Sequence, residues 1–203
     1  YDYIELPHLG PDAYAIVVGD VSGHGISSAL LMASVRAYLR SRVTQAGSVA
    51  EIITDVNRLV SADTMETNQF MTLFFFFFYG QTGQLTWVRA GHDPAMVFAP
   101  DSGQFGELKG GGIPLGVEQD WRYQESATRI KPGQILVLTT DGIMETHNRE
   151  GDMFGKERIK EVIRRNADRD AAGIHRAMSD AVEDFRGKAP REDDVTLVVV
   201  KYL

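Results

Sequence analysis

The chain has 203 residues, and domains cluster around roughly 100–200, so a single domain, residues 1–203, is the expectation. Hydrophobic residues make up 43% and charged residues 24%, a balance that can bury a core and excludes a disordered or collagen-like chain. With 21 Lys+Arg against 28 Asp+Glu the net charge is −7, which argues against non-specific nucleic-acid binding, and the lack of cysteine excludes disulfides, thiol chemistry and thiolate metal sites.

Tyr1-Asp2-Tyr3-Ile4-Glu5-Leu6 reads like the middle of a strand, so the sequence is expected to be part of a longer protein. Residues 13–19 form a short apolar run suited to a buried strand that stops at Asp20 and a glycine-rich turn. From Ser27, the spacing of Leu30, Leu31, Ser34, Val35, Tyr38 and Leu39 predicts a helix, with Arg36, Arg40 and Arg42 toward the end where positive charge suits the dipole. Ser48-Val49-Ala50-Glu51 is a capping box opening a second helix, whose predicted apolar face holds Val49, Ile52, Ile53, Val56, Leu59 and Val60.

Residues 71–79 and 85–90 flank a short glycine-containing connection and predict a hairpin, and the five consecutive phenylalanines 74–78 predict a strand buried on both faces. Residue 71–79 is also the longest apolar run, well short of the ~18 residues a membrane-spanning helix needs, so no membrane segment is expected. Further strands are predicted at 95–99, after the turn at 100–103, at 134–138 and at 195–202. Amphipathic helices are predicted at 156–165 and 170–185. Sequential strands with short turns make the sheets antiparallel. The fold class is α+β, an antiparallel β-sandwich flanked by helices.

Three acidic positions share one placement. Asp20 and Asp141 directly follow apolar strands, and Asp193-Asp194 directly precede one. If those strand ends converge, the carboxylates repel one another and lose hydration, which a cation relieves. Oxygen donors without cysteine favour Mg²⁺ or Mn²⁺ over zinc. Singly, each has a structural reading that outweighs the functional one, Asp20 as a turn former ahead of the helix, Asp141-Gly142 as a turn dipeptide and Asp193-Asp194 as a solvated pair opening the last strand; together the three favour the functional one. Ser22 and His24 do not make a serine hydrolase, because the G-x-S-x-G elbow is not matched, and no P-loop occurs. His92, in Gly91-His92-Asp93-Pro94, is expected to be a polar loop residue.

Seven segments in order, Gly19-Asp20-Val21-Ser22-Gly23-His24-Gly25 with Ser28-Ala29-Leu30-Leu31-Met32-Ala33, then Met71-Thr72-Leu73-Phe74, Ala90-Gly91-His92, Pro114-Leu115-Gly116, Thr140-Asp141-Gly142 and Asp193-Asp194-Val195-Thr196, closely resemble the SpoIIE/RsbU-type phosphatases. These belong to the metal-dependent protein phosphatases related to protein phosphatase 2C. The resemblance implies an α/β/β/α sandwich, two Mn²⁺ or Mg²⁺ ions, and phosphoserine or phosphothreonine on a protein as substrate. By matched position, Asp20 resembles the bridging ligand, Val21 the neighbour that lends its main-chain carbonyl, and Asp141 and Asp193 the other catalytic carboxylates. Asp194 stands where 2C relatives often carry asparagine. Asp2 resembles the second acid of the family's G-G-D-x-x-D segment. His24 is expected near the leaving group or as a shaper of its loop.

The same resemblance implies a cytoplasmic module behind a sensor or receiver domain in a longer chain. Its expected substrate is a phosphorylated STAS-type anti-sigma-factor antagonist, with a homodimer as a further partner state. The first helix begins only a few residues after Asp20, so a shift of it, set by an upstream domain or a dimer contact, would move that residue. A pseudo-phosphatase that binds partners without hydrolysing phosphate is the rival reading, usually marked by loss of a metal Asp. Asp20, Asp141 and Asp193 are all present.

Overall fold

The computed structural model of the chain describes residues 1–191 and 193–203. The chain divides into two compact units, the first Tyr1–His92 with Lys109–Ile130, the second Asp93–Leu108 with Lys131–Leu203. Each has its own antiparallel sheet and its own helices, so the class is α+β.

In the first unit the sheet order is β1 (Asp2–Glu5), β2 (Ala13–Val21), β3 (Met71–Tyr79), β4 (Gln84–Ala90) and β7 (Ser126–Arg129). Helices α1 (Ile26–Arg42) and α2 (Val49–Thr64) pack on it. The pleat divides β2 and β3 cleanly. Ala13, Ala15, Val17, Met71, Leu73, Phe75 and Phe77 share a core with Leu31, Val35, Leu39, Ile52, Ile53, Val56 and Val60 of the helices. Val18, Phe74 and Phe76 are buried on the opposite face, so β3 is covered on both sides, as its unbroken apolar run predicts. The Ser48–Glu51 capping box forms, each side chain accepting from the other's main-chain N–H. Two predicted core positions are instead on the surface: Leu30 is 64% exposed and Leu59 47%.

The second unit has the order β6 (Gln104–Leu108), β5 (Ala95–Ala99), β8 (Ile135–Thr139), β9 (Leu197–Lys201). Helices α4 (Gly155–Arg165) and α5 (Ala171–Arg186) place Ile159, Ile163, Ile174, Met178 and Val182 in one core with Met96, Phe98, Ile135 and Val137 of the strands. Asp170 caps α5 by accepting from the Gly173 N–H at 2.7 Å. No helix among the described residues is long and apolar enough to cross a membrane.

Several strand boundaries differ from expectation. Strand β2 runs on through Asp20 and Val21, because the ladder to β3 continues through the pairs Asp20↔Thr72 and Val21↔Met71. Strand β9 begins at Leu197, so Asp193-Asp194 precede it by two intervening residues rather than directly. Asp141 starts a four-residue helical turn, α3 (Asp141–Met144), with Thr140 at its N-cap position, rather than a simple turn.

Candidate functional site

In the first unit, Asp20 occupies the last turn of the β2 ladder, and its register partner Thr72 presents its side chain on the same face. That face is opposite the one packed by α1 and α2. Beyond Val21 the chain is caught immediately. The Ser22 N–H donates to the Phe70 carbonyl at 2.9 Å, and the Phe70 N–H returns a bond to the Ser22 hydroxyl at 2.9 Å. Ser28 of α1 donates to the Ser22 carbonyl at 3.2 Å. Gly23 (φ 80°) and Gly25 (φ 88°) supply the left-handed backbone that turns the strand into α1 within four residues. His24 is exposed between them, and among the described residues no side chain caps the N-terminus of α1.

Asp2 does not join this arrangement as a free donor. Both its carboxylate oxygens are taken by arginines of α1: Arg40 Nε at 2.6 Å and Arg40 Nη2 at 2.7 Å, with Arg36 Nε at 2.9 Å. The bond from Arg40 holds the Asp2 carboxyl below its usual range, and the charges of both arginines add to it. A cation would have to displace two guanidinium groups to use it. Its position also makes it the ion-pair anchor of β1 on α1.

In the second unit, segments far apart in sequence are stitched together around buried Thr140. Its N–H donates to the Thr196 carbonyl at 3.2 Å, and its hydroxyl donates to the Asp194 carbonyl at 3.3 Å while accepting from the Thr196 N–H at 3.0 Å. Gly142 lies against the main chain of Asp194. Asp141 is thereby fixed beside the Asp193-Asp194 segment. Asp141 accepts the Gly142 N–H on Oδ1 at 2.9 Å, and Asp193 accepts the Asp194 N–H on Oδ1 at 2.7 Å. These short bonds orient each carboxylate. A cavity of about 150 Å³ opens here, lined by Gly142, Glu145, His147, Arg186, Arg191 and Asp193.

Among the described residues, no three His, Asp or Glu side chains are gathered into a complete metal site. The donor chemistry nevertheless suits a hard cation: carboxylate oxygens, a main-chain carbonyl at Val21 and no sulfur. Mg²⁺ needs only one or two carboxylates, since it keeps several waters.

Thr140, Thr72 and His92 were not singled out by the sequence as partners of the acids. The Thr-Asp-Gly, Met-Thr-Leu-Phe and Gly-His-x-Pro patterns carry them, but nothing in the local sequence tells which strand such side chains reach. His92 lies in the loop after β4, as expected, but is buried, 4% exposed.

Comparison with known proteins agrees with these motifs. The family model described as Stage II sporulation protein E (SpoIIE) matches residues 10–203. A protein named phosphoserine phosphatase RsbU, from Bacillus subtilis, is 25% identical over 189 residues, which is 92% of this chain and 55% of RsbU, so the chain spans about half of that relative. The SiaA-PP2C domain of Pseudomonas aeruginosa superposes with a TM-score of 0.85 at 24% identity, covering 99% of this chain and 79% of that one. RsbX, crystallised in complex with magnesium, superposes with a TM-score of 0.69 at 15% identity, covering 98% of this chain and 84% of that one. The structural likenesses show a protein phosphatase 2C-like fold.

Proposed function

The chain belongs to the SpoIIE family, and on that premise we propose that it is a metal-dependent protein serine/threonine phosphatase. The observation that carries the reading is the stitching of Asp141 to the Asp193-Asp194 segment through Thr140 and Gly142, which holds two acid-bearing segments far apart in sequence against each other. The name of the RsbU relative supports serine phosphate as the substrate group.

The proposed donors to Mn²⁺ or Mg²⁺ are, within the first unit, Asp20 and the Val21 carbonyl and, within the second unit taken by itself, Asp141, Asp193 and Asp194. The magnesium complex of RsbX supports such a cation. The chemistry that divalent ions supply when bound is a more acidic coordinated water and neutralised phosphoryl charge. The chain's own part is to hold donors rigidly. Asp20 is fixed by the β2–β3 ladder, Asp141 and Asp193 each by a main-chain N–H on one oxygen. His24 is proposed to bind near the leaving group, held by the glycine turn that follows Asp20.

The proposed substrate is a phosphorylated STAS-type anti-sigma-factor antagonist in the cytoplasm, and residues 1–203 are proposed to act as one phosphatase domain behind a sensor or receiver domain. Control is proposed to run through α1 and α2, by an upstream domain or a second copy, because α1 starts so soon after Asp20. The test is phosphate release from a phosphoserine STAS protein with Mn²⁺ and with chelator. Metal-dependent release, lost in Asp20→Asn, Asp141→Asn and Asp193→Asn by about a hundredfold or more while the domain stays folded, is the expected result. Release that survives chelation, or no release by the unaltered chain, would overturn it.

A further inference from the structure

His92 is the first residue after the Gly91 turn that ends β4, and its imidazole is buried, which is costly unless its polar atoms are paired. Its Nδ1 lies 2.8 Å from the Thr72 hydroxyl oxygen. Thr72 is the register partner of Asp20, so the two side chains stand on the same face of the sheet with β-carbons about 4.5–5.5 Å apart. The histidine is itself firmly placed. Its carbonyl accepts from Arg89 Nε, and Arg89 Nη1 donates to the Gly110 carbonyl at 2.8 Å. Gly91 donates to the Gly112 carbonyl at 3.1 Å and fits beneath Pro114, where a β-carbon would come within 2.7 Å of the ring. The ring therefore rests on a fixed framework, and its Nδ1 meets the Thr72 hydroxyl.

We propose that His92 is a positioning residue for Asp20, acting through Thr72: the imidazole fixes the direction of the threonine hydroxyl, and that hydroxyl, beside Asp20 on the same face, sets the orientation of its carboxylate toward a divalent cation. The inference rests on the metal-dependent reading above. A hydroxyl held by a second group presents one oriented dipole to its neighbour instead of rotating, and partners of this kind tune a ligand without touching the metal. A histidine present only to fill space would need no partner on the residue opposite Asp20, and a leucine would fill the site at lower cost.

The experiment measures Mn²⁺ binding to the 203-residue chain by calorimetry, with thermal melting in chelator as the measure of folding. Thr72→Val keeps the branched shape and removes the hydroxyl. His92→Leu removes the imidazole. Each is expected to weaken Mn²⁺ binding about tenfold, and the double variant is expected to bind no more weakly than the worse single one, because both cut the same chain. Thr72→Ser and His92→Asn, which restore a polar atom at the hydroxyl and Nδ1 positions, are expected to recover most of the affinity. If His92→Leu does not fold, Thr72→Val decides alone. Unchanged Mn²⁺ affinity in Thr72→Val, or no recovery by the restoring variants, would overturn the proposal while leaving the phosphatase reading intact. An unaltered chain that binds no Mn²⁺ would overturn both.

Discussion

Gly142 has its α-carbon against the main chain of Asp194: a β-carbon there would overlap the Asp194 carbonyl oxygen and lie 3.1 Å from its carbonyl carbon and 3.6 Å from the Asp193 β-carbon. The obstacle is backbone, already bonded to Thr140, so it cannot swing aside as a side chain would. Gly142→Ala must therefore push the Asp193-Asp194 segment away from the start of α3. A displacement of this order costs on the order of a hundredfold in turnover when catalytic groups are misplaced by about 1 Å, against a stability loss of only about 1–3 kcal/mol. Phosphate release and chemical unfolding of the same variant separate the two effects. Wild-type turnover in a folded Gly142→Ala protein would show that the closeness of the two segments does not matter.

Gly19 gives a parallel case in the first unit, immediately before Asp20. A β-carbon would stand 2.5 Å from Met71 Cε, 2.8 Å from the Thr72 carbonyl oxygen and 2.9 Å from Leu73 Cδ1. The Met71 terminus is flexible, but the Thr72 oxygen belongs to the β2–β3 ladder. Gly19→Ala is expected to destabilise the protein by about 1–3 kcal/mol, with Met71→Ala in the same chain failing to restore it. Urea unfolding of the two variants checks this. Full restoration by the second substitution would put the strain on the methionine alone.

What the sequence made legible follows from the range of the forces involved. Strand β3 matched its predicted limits because nine residues without a breaker can only be a strand covered on both sides. Helix α2 was announced by a local capping box. The candidate acids were individually legible as polar residues against apolar runs. Their settings were not. Asp has poor strand propensity, so the sequence predicts an end of β2 at Gly19, yet pairing with Thr72 carries it on. Strand β7 has no alternation to read and exists because Ser126 to Arg129 pair with β4 at the sheet edge. Nothing local reveals that Arg36 and Arg40 of α1 fold back onto Asp2. Leu30 and Leu59 sat on the right helical period and still ended at the surface, since periodicity cannot tell how wide a covered stripe will be.

Asn57 is a polar residue that no pattern marked, yet it is 0% exposed on α2. Its Nδ2 donates to the carbonyls of Glu118 at 2.8 Å and Gln119 at 3.3 Å, and its Oδ1 accepts the Gly116 N–H at 3.0 Å. Next to Gly116, Leu115 exchanges two main-chain bonds with Met71, so Asn57 pins the Pro114-Leu115-Gly116 segment to the helix as Leu115 pins it to β3. Asn57→Leu keeps the volume and leaves the Gly116 N–H and the Glu118 carbonyl unpaired, a loss of about 2–4 kcal/mol. That corresponds to a fall in Tm of roughly 5–15 °C for a chain of this size. A melting temperature within a degree of wild type would mean that water or another donor replaces the amide without cost.

The Asp2 ion pair predicts a dependence of stability on pH with a definite sign. The hydrogen bond from Arg40, followed by the charges of Arg40 and Arg36, lowers the Asp2 pKa in the folded chain, and the Tyr3 N–H adds to this at 3.0 Å. A carboxyl depressed in the folded state contributes stability above its unfolded pKa, near about 3.9, and loses it as the pH falls through the folded value. The Asp2 side chain is 12% exposed but both arginines are about half in solvent, so the contribution is modest and screened by salt. Asp2→Asn is expected to lower Tm at pH 7 by about 2–4 °C. The gap between wild type and variant should narrow below about pH 4, where the wild-type carboxyl takes up its proton, and narrow also in molar salt at pH 7. Carboxylates common to both proteins cancel in that difference, which isolates Asp2. A gap that stays constant from pH 7 to pH 3 would mean that the Asn substitution acts through packing of β1 on α1 and not through the charge.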